Sequence, residues 1–327
     1  MLNFLLAFIP RAIVQGIPLL FGSTGEIVTE KSGNLNLGVP GVMYMGGIAG
    51  LMGAFFYENG NPAPNGFVGL VISFLCAFLA GILGGLIYSI LTITLRANQN
   101  VTGLALTTFG TGFGNFFGGS LSALAGGVGQ ISVASTGAAY AKTIPGLSRI
   151  PVIGPVLFSY GFMTYLCIIL ACVLAFFLSK TRKGLNLRAV GENPATADAA
   201  GINVTLYKYL ATCIGCGISG LGGLYFVMEY SGGTWTNNGF GDRGWLAVAL
   251  VIFSLWKPLN AIWGSILFGG LYILYLYIPG VGRSTQEIFK MLPYLVTIIV
   301  LILTSFRRKR ENQPPAGLGL PYFREER

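Results

Sequence analysis

The sequence predicts an all-α protein, a polytopic membrane helix bundle of about nine transmembrane helices within a range of about eight to ten. Of the 327 residues, 53% are hydrophobic and only 9% are charged, a balance that soluble folds seldom show. Apolar runs of roughly 20 residues, the length of a bilayer-spanning helix, recur along the chain. Many of the 49 glycines lie in these runs, and small residues allow close helix contacts in lipid. We expect such contacts at Gly46/Gly50, at Gly81/Gly85 and along 215–223.

The apolar runs place nine spans along the chain. The fourth is rich in glycine and the seventh is short, so broken or re-entrant helices fit these two. The first has neither a basic leading region nor a small-residue cleavage site, and Arg11 interrupts it, so we expect a retained span rather than a signal peptide. The spans lie near 4–28, 38–57, 67–95, 100–118, 155–178, 206–229, 244–256, 259–278 and 288–306.

The placement of lysine and arginine orients this bundle. With nine spans and a cytoplasmic tail, fourteen basic residues fall inside and five outside, as the positive-inside rule requires. We therefore divide the chain into a transmembrane domain at 1–306, with a cytoplasmic loop at 179–205, and a basic cytoplasmic tail at 307–327. The inner set is Lys31, Arg96, Lys180, Arg182, Lys183, Arg188, Lys208, Lys257, Arg307, Arg308, Lys309, Arg310, Arg324 and Arg327, and the outer set is Lys142, Arg149, Arg243, Arg283 and Lys290.

The composition excludes several classes of active site. The chain has no histidine, which excludes Ser-His-Asp triads, HExxH zinc sites and histidine proton relays. No lysine follows a glycine, so there is no Walker A phosphate loop. Matches to GxGxxG at 215–220 and to GxSG at 217–220 lie in an apolar helix, where helix packing explains them. We expect no enzyme activity, no cofactor, no metal and, because the basic residues border spans, no nucleic-acid partner.

One polar stretch, KTRKGLNLRAVGENPATADAAGIN at 180–203, separates two apolar segments. Asn193 suits a helix N-cap, Pro194 suits the first helical position, and 195–200 favours helix. Gly201 stands where a left-handed C-cap belongs. A helix of about two turns is not stable alone. We therefore expect it to dock, either on its own bundle or on a partner protein.

Three separated motifs resemble those of a known family. The stretch from Gly184 to Ile202 is similar to the cytoplasmic loop of permease subunits in bacterial ATP-binding-cassette (ABC) importers, within the ribose and branched-chain amino-acid permease superfamily. The stretch TEKSGNLNLGVPGVM at 29–43 resembles the signature of the nucleoside and simple-sugar branch. The resemblance covers roughly 20–305. The family's spacing is kept later by GFGDRG at 239–244, LAVAL at 246–250, WKP at 256–258 and LFG at 267–269.

The resemblance implies a transmembrane permease subunit of the bacterial plasma membrane, without an ATPase site of its own. It would pair with a second permease subunit, a paralogue, and be driven by a tandem ABC ATPase that uses the ATP. An external lipoprotein of the basic-membrane-protein type would deliver the cargo. Pro40 replaces the acid usual in this branch, and Thr107 replaces the Asn that usually follows GLAL. These two departures bear on which cargo is predicted more than on the predicted architecture. By the same resemblance, the ATPase-facing residues are Arg188, Glu192, Asn193, Pro194, Asp198 and Gly201.

Polar residues near span ends are candidates for lining the passage, since amides and aromatic faces suit sugar hydroxyls and a purine ring. Ordinary interfacial aromatics and loop asparagines explain the same residues at least as well. We expect a nucleoside as cargo, then a simple sugar, then a branched-chain amino acid. A secondary transporter or channel stays the alternative, although ionisable mid-span residues are scarce and no TVGYG-like filter occurs. The candidates are Asn98, Gln99, Asn100 and Thr102 on the inner side and Tyr230, Trp235, Asn237 and Asn238 on the outer side.

Overall fold

The computed structural model describes residues 2–124, 131–143, 153–278, 280, 282–307 and 312–324, and the part of the chain so described is built from α-helices. A π-helical turn, Ile90–Thr94, extends α3, another, Phe226–Tyr230, extends α10, and a 3-10 turn, Leu274–Tyr277, extends α12. The helices are α1 (Leu2–Lys31), α2 (Val39–Gly60), α3 (Gly66–Ser89), α4 (Gln99–Leu124), α5 (Ala134–Tyr140), α6 (Ile153–Leu157), α7 (Phe162–Lys180), α8 (Arg182–Glu192), α9 (Pro194–Ala199), α10 (Val204–Tyr225), α11 (Arg243–Phe253), α12 (Pro258–Ile273) and α13 (Arg283–Arg307).

Each of the nine predicted spans overlaps a helix, and the all-α membrane bundle is confirmed. The count of about nine is not confirmed, because seven helices within the described residues are long and apolar enough to cross a membrane. The other two are α4 and α11, the glycine-rich segment and the short one. With 26 residues α4 is about 39 Å long, whereas the 11 residues of α11 reach only about 17 Å.

The fifth predicted span, near 155–178, begins too early. The structure has a short helix α6, an irregular segment at 158–161, and then α7 from Phe162 onward. The carboxylate of Glu229, from the end of α10, accepts hydrogen bonds from the backbone N–H of Gly161 at 3.0 Å and from the Thr164 hydroxyl at 3.1 Å. The apolar composition of 155–161 conceals this break.

Helix α10 occupies the centre of the bundle and packs against α1, α2 and α3. Within its membrane-spanning stretch, 83% of the residues are buried. The close contacts expected of glycine are present, since a Cβ atom on Gly46 would lie 2.3 Å from the carbonyl oxygen of Gly220. The GxGxxG and GxSG matches lie on this buried helix and serve packing.

A buried polar cluster joins α1, the α1–α2 linker and α10. The backbone N–H of Asn36 donates to Glu26 Oε1 at 3.0 Å, and the Asn36 side-chain oxygen accepts the N–H of Gly38 at 2.8 Å. Asn34 Nδ2 donates to the Thr212 hydroxyl of α10 at 3.0 Å. The 29–43 motif therefore forms an internal joint of the bundle, with Glu26, Asn34 and Asn36 each at most 1% exposed.

Two contacts fix how α11 lies along α1. At one end, Arg243 Nη2 donates to Gln15 Oε1 at 3.1 Å. At the other end, the indole N–H of Trp256 donates to the carboxylate of Glu30. Residues 15 and 30 of α1 are about 22 Å apart along the helix axis. The short α11 and the turn after it thus cover about half the length of α1, which is about 45 Å long.

Candidate functional site

The helix predicted after Asn193 is present as α9, Pro194–Ala199. The Asn193 side chain accepts the backbone N–H of Thr196 at 3.0 Å, as an N-cap does. At the other end, the N–H of Gly201 donates to the Asp198 carbonyl at 2.9 Å and that of Ile202 donates to the Ala197 carbonyl at 3.0 Å. This is a Schellman C-cap, and Gly201 supplies its left-handed residue with a φ of +82°.

A second helix, α8, precedes α9 and was not predicted. Its N-cap is Thr181, whose hydroxyl accepts the N–H of Gly184 at 3.0 Å. Its C-terminal turn lies directly on the end of α1, where a Cβ atom on Gly191 would be 2.3 Å from the carbonyl oxygen of Lys31. Thr181 is the one residue in the sequence that indicates the start of this helix, because threonine is a common N-cap. Gly184 and Gly191 within the segment argue against a helix.

The inner faces of α8 and α9 share a small apolar cluster of Val190, Ala197 and Val204. The opposite face of α9 is open, with Thr196, Ala199 and the adjoining Ala200 exposed. The expected docking of α9 on its own bundle is therefore confirmed for one face. The other face presents small side chains that would let another surface approach closely.

The C-terminal segment 312–324 lies across the same end of the molecule. The Tyr322 hydroxyl donates to Asp198 Oδ2 at 2.8 Å, and Arg324 Nε pairs with the same oxygen at 3.1 Å. The Gly317 N–H donates to the Gly191 carbonyl at 2.9 Å, and the Gly319 N–H donates to the Gly33 carbonyl at 3.2 Å. This C-terminal segment thus joins α9, the end of α8 and the α1–α2 linker.

The predicted ATPase-facing residues come together at this end but differ in their surroundings. Asn193, Pro194 and Gly201 build the ends of α9, and Asp198 holds the C-terminal segment. Glu192 Oε2 accepts the N–H of Ala316 at 3.4 Å. Arg188 lines a cleft between α8, α7 and α12.

The basic residues at this end include most of the predicted inner set. Lys257 Nζ donates to Asn312 Oδ1 at 2.9 Å, and the Arg96 guanidinium lies 4.6 Å from the centroid of the Phe323 ring. Lys208 lies in a pocket with Arg96 and Arg324. Arg149, Arg308, Lys309, Arg310 and Arg327 lie outside the described residues.

The inner pathway candidates lie at the start of α4, where Gln99 fastens this helix to the α1–α2 linker. Gln99 is 4% exposed, and its side-chain oxygen accepts the N–H of Leu35 at 2.7 Å. The Thr102 hydroxyl donates to the Asn98 carbonyl at 2.8 Å. Asn98 and Asn100 are exposed.

The outer candidates lie in and before the 231–242 loop, against the far half of α4. Asn238 exchanges two hydrogen bonds with Asn115 of α4, one from Asn115 Nδ2 to Asn238 Oδ1 at 2.8 Å and one from the Asn238 N–H at 3.1 Å. Trp235 Nε1 donates to Asn237 Oδ1 at 2.9 Å. The candidate sets are thus about 24 Å apart along α4, taking Gln99 and Asn115 as their positions.

An aromatic and amide cluster surrounds the outer candidates, and sequence reasoning missed most of it. The ring of Tyr44 lies 4.5 Å from that of Phe240 and 6.2 Å from that of Trp235. The Arg243 guanidinium lies 5.2 Å from the centroid of the Tyr230 ring. Gln15 bridges the two, donating to the Tyr230 hydroxyl at 2.8 Å and accepting from Arg243. The sequence offers one sign of this cluster, which is the polar Gln15 within the apolar helix α1.

Residues 8–301 match the family model described as the permease component of a branched-chain amino acid transport system. The chain belongs to this permease family. The permease is thus a transport subunit, and with its seven apolar helices it is a multi-pass membrane protein.

Three relatives match the permease over nearly its whole length. The nucleoside ABC transporter permease protein NupC of Lactococcus lactis subsp. cremoris (strain MG1363) is 31% identical over 92% of this chain and 93% of its own. The guanosine ABC transporter permease protein NupQ of Bacillus subtilis (strain 168) is 32% identical over 98% and 97%. The putative glucose ABC transporter permease protein TsgC13 of Haloferax volcanii is 29% identical over 99% of each.

Proposed function

We propose that this permease forms the translocation pathway for a nucleoside in an ABC importer and is driven through α9 by a separate ATPase subunit. The cargo is inferred from NupC and NupQ, whose names specify a nucleoside and guanosine. An external binding protein would deliver the nucleoside, and a second permease subunit would complete the passage. The observation that carries this proposal is the doubly capped α9, held rigidly on one side and open on the other.

Helix α9 suits mechanical coupling because its position is fixed from several sides. Its buried residue Ala197 packs against Val190 of α8 and Val204 of α10, so a force on α9 reaches a central helix. Ala199 and Ala200 are exposed and small, which permits a close fit to another protein. ATP-driven closure of the ATPase would push this helix and favour one of two bundle states.

Helix α4 suits the wall of a wet passage. Its exposed positions include Thr108, Gly112 and Gly119 beside larger apolar residues, and it lacks the hydropathy of the seven apolar helices. Polar groups at membrane depth face protein or a water-filled cavity rather than lipid. We infer that the exposed face of α4 borders the passage or the second permease subunit, between the inner and outer candidates.

The cluster at the outer end of α4 offers chemistry that a nucleoside needs. Aromatic rings such as Tyr44 and Trp235 can stack on a purine, and the amides of Asn115, Asn237 and Asn238 can bond to the sugar hydroxyls or the base edge. The passage needs only weak contacts, because the binding protein would select the cargo.

From the positive-inside rule we infer that α8, α9 and the C-terminal segment lie in the cytoplasm. Lys31 lies close to Lys257 and Glu192 at this end. Arg96 and Lys257 contact the C-terminal segment, and Arg324 of that segment pairs with Asp198. An ATPase would reach α9 from this side.

Uptake by proteoliposomes tests the cargo. The permease, reconstituted with its partner subunits and binding protein, should accumulate labelled guanosine when ATP is supplied to the ATPase side. Labelled glucose is the second candidate, because TsgC13 is named for glucose, and labelled leucine is the control suggested by the family description. Accumulation of glucose or leucine with none of guanosine would refute nucleoside transport.

A further inference from the structure

A cleft of about 890 Å³ opens between the C-terminal half of α7, helix α8 and the start of α12. Its volume lies within the range of about 300–1,000 Å³ typical of small-molecule sites. Gln313 and Pro315 of the C-terminal segment lie at its border. The open face of α9 and the passage along α4 lie outside this space, although Arg188 and Glu192 of the predicted ATPase-facing set line it.

One part of the cleft wall is basic. It contains Lys31, Lys180, Arg188 and Lys257, while Glu192 supplies the only carboxylate among the described residues that line it. Lys31 is partly balanced by Glu192 and by Glu30 behind it. Lys257 donates to the neutral amide of Asn312, which leaves its charge uncompensated by that contact.

The side chain of Arg188, which lines the cleft, has a nitrogen that needs a hydrogen-bond acceptor. Its Nε is buried and has no hydrogen-bond partner among the described residues. A buried N–H of a charged group without an acceptor costs free energy, so such groups are normally paired. An anionic oxygen in the cleft would satisfy it.

The remaining wall is apolar and faces outward. Phe176 is 63% exposed and Leu259 is 51% exposed, and both line the cleft. Both belong to helices counted among the membrane spans, so this side opens toward lipid. A small water-soluble anion gains nothing from contact with these apolar side chains, whereas the acyl chains of a lipid can pack against them.

We propose that this cleft binds a phospholipid with a net negative headgroup, its phosphate among Lys180, Arg188 and Lys257 and its chains along Phe176 and Leu259. Basic pockets between membrane helices bind anionic headgroups in this way. Positively charged residues placed only for orientation would be spread around the bundle. Here four of them line one cleft, where the Arg188 Nε is buried without a hydrogen-bond partner among the described residues.

Native mass spectrometry of the purified full-length permease tests the proposal. We expect phosphatidylglycerol to bind at least about tenfold more tightly than phosphatidylcholine with the same chains. The double variant Lys180→Gln/Lys257→Gln should lose about tenfold in phosphatidylglycerol affinity. Its matched control, Arg182→Gln/Lys183→Gln, removes the same charge from exposed positions of α8 outside the cleft. This control should keep the full affinity for phosphatidylglycerol.

A steric pair locates the site without changing charge. Ala175→Trp fills the cleft and should lower the affinity for phosphatidylglycerol about tenfold, as the double charge variant does. Val173→Trp, at an exposed position of α7 that does not line the cleft, should leave this affinity unchanged. Gel filtration checks that each variant is folded. Equal losses in the controls, no loss in the cleft variants, or glycerol phosphate binding as tightly as the lipid would each overturn the proposal. So would an Ala175→Trp permease that keeps its lipid but no longer co-purifies with the ATPase, since the cleft would then belong to that partner.

Discussion

At the scale of single residues, the 29–43 motif is explained by buried hydrogen bonds rather than by contact with cargo. Asn36 uses its side chain to hold the N–H of Gly38 and lies beside Cys216 of α10, with Nδ2 to Sγ at 3.4 Å. Its own N–H is held by Glu26. Within a membrane bundle such groups have no water to replace a lost partner.

We therefore expect Asn36→Ala to destabilise the permease. Leaving the Gly38 N–H buried without its acceptor costs about 1–3 kcal/mol. Thermal unfolding of the purified protein should shift several degrees lower, as about 1–3 kcal/mol predicts. Asn61→Ala is the matched control, because Asn61 is exposed at the end of α2. Equal melting temperatures for the two variants would show that the cluster contributes nothing to stability.

At the scale of elements, local rules predict α9 but not what surrounds it. The N-cap Asn193, the proline at the first helical position and the glycine C-cap act within a few residues, so they are readable from sequence. Helix α8 was missed because Gly184 and Gly191 count against helix locally, while the structure needs them where α8 meets α7 and α1. The docking of 312–324 on α9 depends on contacts such as Tyr322 with Asp198, which no local pattern encodes.

The C-terminal segment should protect the 179–205 loop. Tyr322→Phe with Arg324→Gln removes both hydrogen bonds to Asp198 Oδ2. The loss costs about 1 kcal/mol, mostly from Tyr322, because the exposed Arg324 pair contributes little. Trypsin should then cleave α8 about fivefold faster in proteoliposomes, since local opening governs cleavage. Leu320→Ala, at an exposed position of the same segment, should cleave as the unaltered protein does, and an unchanged rate in the double variant would contradict the protective role.

At the scale of the whole molecule, composition and hydropathy predict the membrane bundle and the positions of its helices. They do not settle how many helices cross, because α4 is long but rich in glycine and less apolar than a typical span, and α11 is apolar but short. They also cannot show that Asn115 and Gln15 belong with Tyr230 and Asn238, since these side chains meet only when distant helices pack. The same limit applies to Glu192, which ends α8, and to Asp198 within α9. Both contact the C-terminal segment, and no pattern in the sequence shows these contacts.

The central claim is that a passive bundle is moved through the open face of α9. The most direct test is ATP-driven guanosine uptake into proteoliposomes containing Ala199→Glu, with all partner subunits present. A larger, charged side chain on this exposed position should block docking of the ATPase and reduce uptake at least about tenfold, as loss of a close-packed contact does. Ala63→Glu makes the same change on an exposed loop at the opposite end and should leave uptake intact. Full uptake by Ala199→Glu, or uptake by the permease alone on an ion gradient, would contradict the account.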